Sequence, residues 1–120
     1  MSWDVENTDK FGGWFVDLSE TDRDAIDFTV DLLMVQGPNL RFPHSSGINK
    51  SRHSHLRELR IQSEGRPLRI FYAFDPRRSA IQLIGGDKTG DDRFYERMIP
   101  LADDLYDVHL TELKQEGLSR

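Results

Sequence analysis

Leu56-Arg-Glu-Leu-Arg-Ile-Gln-Ser-Glu-Gly-Arg-Pro-Leu-Arg-Ile-Phe-Tyr-Ala-Phe-Asp-Pro-Arg-Arg-Ser-Ala-Ile-Gln-Leu-Ile84 is the stretch that decides the fold. Residues 56–62, 68–75 and 80–84 are rich in β-branched, aromatic and leucine side chains, which suit a pleated, half-buried surface. Glu64-Gly65-Arg66-Pro67 and Asp75-Pro76-Arg77-Arg78 punctuate them with turn chemistry. Two short turns in succession predict a three-stranded antiparallel meander. Side chains alternate along a strand, so Leu68, Ile70, Tyr72 and Phe74 share one face and Arg69, Phe71 and Ala73 the other. In the preceding strand Arg57, Leu59 and Ile61 face one way, and Glu58 and Arg60 the other.

Upstream of the meander, Phe11, Trp14, Phe15 and Leu18 recur at helical spacing, and Thr8 or Asp9 can cap that segment. Ser19-Glu-Thr-Asp restarts a helix with Ala25, Ile26, Phe28, Thr29, Leu32, Leu33 and Val35 as its apolar stripe, stopped by Gly37-Pro38. Residues 3–6 read as a short strand and residues 38–55 as a loop. Downstream, Asp91 or Asp92 caps a helix reaching Met98, and Pro100 fits the first turn of a last helix. Helices first, then sheet, then helix predicts an α+β fold rather than a wound parallel sheet.

The 120 residues make one domain, 1–120, large enough to bury one core. With no cysteine, disulfides, thiolate metal sites and cysteine nucleophiles are excluded. The start of the chain carries no secretory pattern and no apolar run is long enough to span a membrane, which leads us to expect a cytoplasmic protein. The formal net charge is −5, but it is unevenly spread. Residues 1–40 carry nine acids against two bases, residues 41–100 twelve bases against seven acids, and residues 101–120 five acids against two bases. A basic middle between acidic ends suits a local polyanion site on an acidic body; solvated faces with ordinary ion pairs are the alternative.

If the Leu68 set lies under the N-terminal helices, Arg69 is pushed to the opposite, open face, where Arg60 joins it. Lys88 follows the third strand, and Tyr95 lies seven residues on. Cations and a phenol gathered there suit phosphodiester cleavage by the 2′-hydroxyl of RNA, which needs a base, cations at phosphorus and an acid for the leaving oxygen. A guanidinium matches a phosphate without a metal, and a lysine among arginines loses its proton more readily. The structural alternative pairs Arg60 with Glu58 or Glu64 and Arg69 with Asp75, and makes Tyr95 a core edge. His53 and His55 lack further ligands at zinc spacing. Gly85-Gly-Asp-Lys-Thr-Gly90 lacks the P-loop arrangement, so nucleotide triphosphate binding is rejected.

Leu56-Arg-Glu-Leu-Arg60, Gly65-Arg66-Pro67, Arg69-Ile-Phe-Tyr-Ala-Phe-Asp-Pro-Arg-Arg78, Gly85-Gly-Asp-Lys-Thr-Gly90 and Tyr95-Glu-Arg-Met-Ile-Pro-Leu-Ala102 resemble the phage-derived, HigB-like branch of the RelE/ParE toxins. The resemblance covers nearly the whole chain in order. It implies a small antiparallel sheet with two N-terminal helices and a C-terminal helix. It implies the toxin of a type II toxin–antitoxin system: a metal-independent endoribonuclease without cofactor that cuts mRNA on the ribosome and is neutralised by an antitoxin, often a helix-turn-helix protein. By position it points to Arg60, Arg69, Lys88 and Tyr95 as catalytic residues, and to His53, Arg57 and Arg66 for RNA contact. The same superfamily contains inhibitors of DNA gyrase, and inactive phage remnants also occur, so a non-enzymatic toxin and a remnant stay open.

Overall fold

The computed structural model describes residues 2–117. The chain runs β1 (Val5–Asn7), α1 (Asp9–Val16), α2 (Glu20–Gln36), a single 3-10 turn (Gly37–Asn39), β2 (Ser45–Gly47), β3 (Arg57–Ser63), β4 (Arg66–Phe74), β5 (Ala80–Asp87) and α3 (Phe94–Gln115). The expected meander is the centre of a five-stranded sheet of order β1-β5-β4-β3-β2. The fold is α+β. None of its described helices is long and apolar enough to cross a membrane.

Local chemistry accounts for most of these elements. The Thr8 hydroxyl accepts from the Phe11 N–H to cap α1 and donates to the Leu83 carbonyl at 2.6 Å, tying the helix start to β5. Ser19 caps α2 by accepting from Asp22 N–H. Between β3 and β4, Glu64 and Gly65 both have positive φ, 52° and 78°, the geometry of a two-residue turn whose twist matches the strands it joins.

Strand alternation divides the interior into two layers. Leu59, Ile61, Leu68, Ile70 and Tyr72 are buried with Phe11, Ile26 and Leu33 under the N-terminal helices. Leu56, Phe71, Ala73, Ile81 and Leu83 are buried on the other side, against Phe94, Met98, Ile99, Ala102 and Tyr106 of α3. A register shift opposite Phe71 and Tyr72 leaves Leu83 without a partner on β4, so the sequence neighbours Leu83 and Ile84 both reach the α3 layer. Gly85 sits where a Cβ would collide with the Trp14 indole of α1.

Four expectations need adjusting. The sheet is mixed, because β1 pairs parallel to β5, Val5 opposite Ala80. The segment 38–55 contains β2, whose Ser45 pairs with Leu59; three residues of Ser-Ser-Gly carry no strand signature. The two expected C-terminal helices are one, with Pro100 inside it. Proline costs an internal helix about 3 kcal/mol, but the buried stripe Phe94, Met98, Ala102 and Tyr106 runs unbroken past it onto the sheet. That helix covers the sheet face expected to lie open, leaving Arg69 buried.

Candidate functional site

Where α3 begins, polar groups converge on one carboxylate. Across the β3–β4 ladder Glu58 pairs with Phe71 and Arg60 with Arg69, which makes Glu58 and Arg69 diagonal neighbours on the α3 face. Their side chains are only 5% and 6% exposed. Glu58 Oε1 accepts from the Tyr95 hydroxyl at 2.7 Å and lies 3.6 Å from Arg69 Nε. Glu58 Oε2 accepts from the Ser46 hydroxyl at 2.8 Å and from Arg60 Nη1 at 3.4 Å. Arg69 Nη1 donates to the Leu68 carbonyl, whereas Arg69 Nε is buried without a hydrogen-bond acceptor.

Burial, then the bond to Glu58, pushes the Tyr95 phenol above its ordinary pKa, against the opposing pull of Arg69. Tyr95 therefore keeps its proton at neutral pH. Lys88 Nζ lies 6.0 Å from the Tyr95 ring centroid, and the Arg60 guanidinium rests over the Phe42 ring at 5.2 Å. Two guanidinium groups thus flank one carboxylate, and an ammonium stands beside its phenol partner. A cavity of about 360 Å³ opens onto the group, with Gly47, Asn49, Lys50, Glu58, Tyr95 and Ile99 in its wall.

The structure therefore brings Arg60, Arg69, Lys88 and Tyr95 together, with Glu58 among them. Strand alternation puts Glu58 on the Arg60 face, and its contacts with Tyr95 and Arg69 make it the centre of the group and not a partner of Arg60 alone. The Arg69–Asp75 pair does not form, because Asp75 turns to Arg77 and His109 at 2.7 and 2.9 Å. Ser46 had no signal, lying in the stretch read as loop.

The three looser candidates lie elsewhere. His53 Nε2 is 2.8 Å from Asp107 and its ring stands edge-on to Tyr106. Arg57 Nε donates to the Ser45 hydroxyl on the helix-facing side of β3. Arg66 is held by Asp22 at 2.5 Å and Asp87 at 3.1 Å. Arg66 and Ser63 in turn hold Asp22 below the usual carboxylate range.

A sheet-borne carboxylate flanked by two guanidinium groups and a phenol marks a class: small α+β proteins with a buried cationic site under a C-terminal helix. Within that class the chain belongs to the phage-derived Gp49-like family (DUF891), which it matches over residues 13–107. It is 41% identical over 91 residues to a Mycobacterium tuberculosis protein named "Putative toxin HigB3", covering 75% of this chain and 78% of that one. It is 31% identical over 116 residues to another from the same organism, "Putative toxin HigB2", covering 95% of this chain and 57% of that one. No solved structure matches the chain. The HigB-like resemblance read from the motifs agrees with these matches.

Proposed function

We propose that the chain is the toxin of a toxin–antitoxin pair and an endoribonuclease that cuts mRNA on translating ribosomes in the cytoplasm. The toxin assignment is supported by the names of its relatives; the nuclease assignment is supported by the site. The observation that carries it is Glu58, held between Tyr95 at 2.7 Å and the guanidinium groups of Arg69 and Arg60.

The chemistry balances within that group. Glu58 takes the proton from the ribose 2′-hydroxyl as the 2′-oxygen bonds to phosphorus. Arg69, Arg60 and Lys88 stabilise the charge that builds on the phosphoryl oxygens, without a metal. The P–O5′ bond breaks, and the leaving oxygen takes the Tyr95 proton. The phenolate then recovers a proton from Glu58 along their hydrogen bond, which restores the site. The products are a 2′,3′-cyclic phosphate and a 5′-hydroxyl end. The partner that silences the chain is a co-encoded antitoxin of helix-turn-helix type. His53, Arg57 and Arg66 take no part in the chemical step.

Induced expression of the wild type beside Glu58→Gln and Arg69→Ala, with primer extension on a reporter mRNA, tests the proposal. Growth arrest by the wild type alone, with new 5′ ends inside translated regions, is expected. Arrest without new ends would move the target from RNA to a protein such as gyrase. No arrest from well-expressed folded protein would identify an inactive remnant.

A further inference from the structure

The cavity beside Glu58 continues into a second one. A space of about 450 Å³ has Lys50, Tyr95, Glu96, Ile99 and Pro100 in its wall. It shares Lys50, Tyr95 and Ile99 with the first, so the two form one groove between residues 48–52 and the first two turns of α3. The 48–52 side is fixed in place. The Ser51 hydroxyl donates to Asp103 at 2.5 Å, and the Arg52 guanidinium bonds Asp104 and Asp107.

The second cavity combines apolar Ile99 and Pro100 with the Tyr95 ring and four charged side chains, of which Arg52 and Asp103 pair with each other at 3.8 Å. Lys50 comes from the 48–52 segment and Glu96 from α3, and neither forms an ion pair among the described residues. Glu58 lines the neighbouring cavity, and Arg69 Nε lies 3.6 Å from its Oε1, which brings a cation to that end of the groove. Single-stranded RNA is read by aromatic contact and by hydrogen bonds to base edges.

Of the four bases, guanine complements these walls best. Its N1–H and N2–H are adjacent donors that match a carboxylate, and its O6 and N7 are acceptors that match a lysine. Adenine and cytosine each present a ring-nitrogen acceptor to the carboxylate beside their amino group. Uracil offers one donor between two carbonyls. We infer that this cavity seats the base next to the scissile phosphate and selects guanine, with Glu96 and Lys50 as the specificity-determining residues. The inference rests on the endoribonuclease reading for its place in the substrate, but its chemistry can be tested without cleavage.

Titration of the full chain with GMP, AMP, CMP and UMP, followed by NMR chemical shifts at Tyr95 and Ile99, is the experiment. GMP is expected to bind about tenfold more tightly than the others, and Glu96→Gln, an exposed substitution, to remove that preference. Lys50→Met should weaken GMP most of the four. Equal binding of all four nucleotides, or a guanine preference that survives Glu96→Gln, overturns the inference. RNA cleavage by a chain that binds no mononucleotide overturns the subsite and leaves the nuclease. Guanine selectivity in a chain that cuts no RNA supports the subsite and removes the nuclease.

Discussion

Replacing Glu58 by Gln keeps the size of the side chain and leaves an oxygen for Tyr95 or Ser46, but it removes the one negative charge facing Arg69. That guanidinium is 6% exposed, so it is left in the interior without a counter-charge. Breaking a buried pair from one side costs about 3 kcal/mol or more, because the desolvated partner remains. For a domain of this size, a urea dependence near 2 kcal/mol per molar turns 3 kcal/mol into a midpoint lowered by about 1.5 M. Urea denaturation followed by tryptophan fluorescence and far-ultraviolet circular dichroism reads it directly. The double replacement Glu58→Leu with Arg69→Met removes both charges and is expected to return the midpoint to the wild-type value or above, since apolar side chains of similar volume often outperform a buried pair. The double variant would be well folded and inert. A Glu58→Gln midpoint equal to wild type would refute the reasoning, because it would mean that Arg69 is solvated after all.

Tyr95→Phe keeps the ring and deletes only the proton donor, so cleavage should fall by about 10²- to 10⁴-fold with the urea midpoint nearly unchanged; an active Phe variant would remove Tyr95 from the proton path. Asp22 is held below its ordinary pKa by Arg66 and Ser63, so its contribution to stability is present above about pH 4 and is lost as pH falls through the lower folded value. Asp22→Asn should accordingly destabilise at pH 7 and converge on wild type in strong acid, as measured by thermal melts across pH. Gly85→Ala drives a methyl group into the Trp14 indole and should cost about 1–3 kcal/mol; an unchanged melting temperature would show that α1 can shift away freely.

What the sequence showed follows from where the forces are local. The period-two pattern around Leu68–Phe74 and the Glu64-Gly65 turn carry strand and hairpin in adjacent residues, so the meander and its two faces were legible. The Ser19 and Thr8 caps were legible for the same reason. β1 was legible as a strand near residues 3–6 but its parallel pairing with β5 was not, because that partner lies far along the chain; β2 was missed because its three residues, Ser-Ser-Gly, are held in the sheet only by their ladder to β3. Pro100 was read as a boundary, since propensity argues for one and the buried stripe that overrides it is a tertiary fact. The gathering of Arg60, Arg69, Lys88 and Tyr95 followed from strand alternation and the family resemblance. Glu58 was visible on the same face, but its central position depends on α3 delivering Tyr95 back onto β3, which no local pattern specifies. Lys50 and Glu96 lie 46 positions apart and meet only through that same helix.

Because Tyr95 and the cover over Arg69 both belong to α3, and α3 follows every strand in chain order, the site is completed by the last of these elements to leave the ribosome. A nascent chain displaying the full sheet still has an uncovered guanidinium, a carboxylate without its phenol and half a groove. Synthesis thus carries its own delay: the proposed site cannot assemble before α3 has emerged and packed onto the sheet.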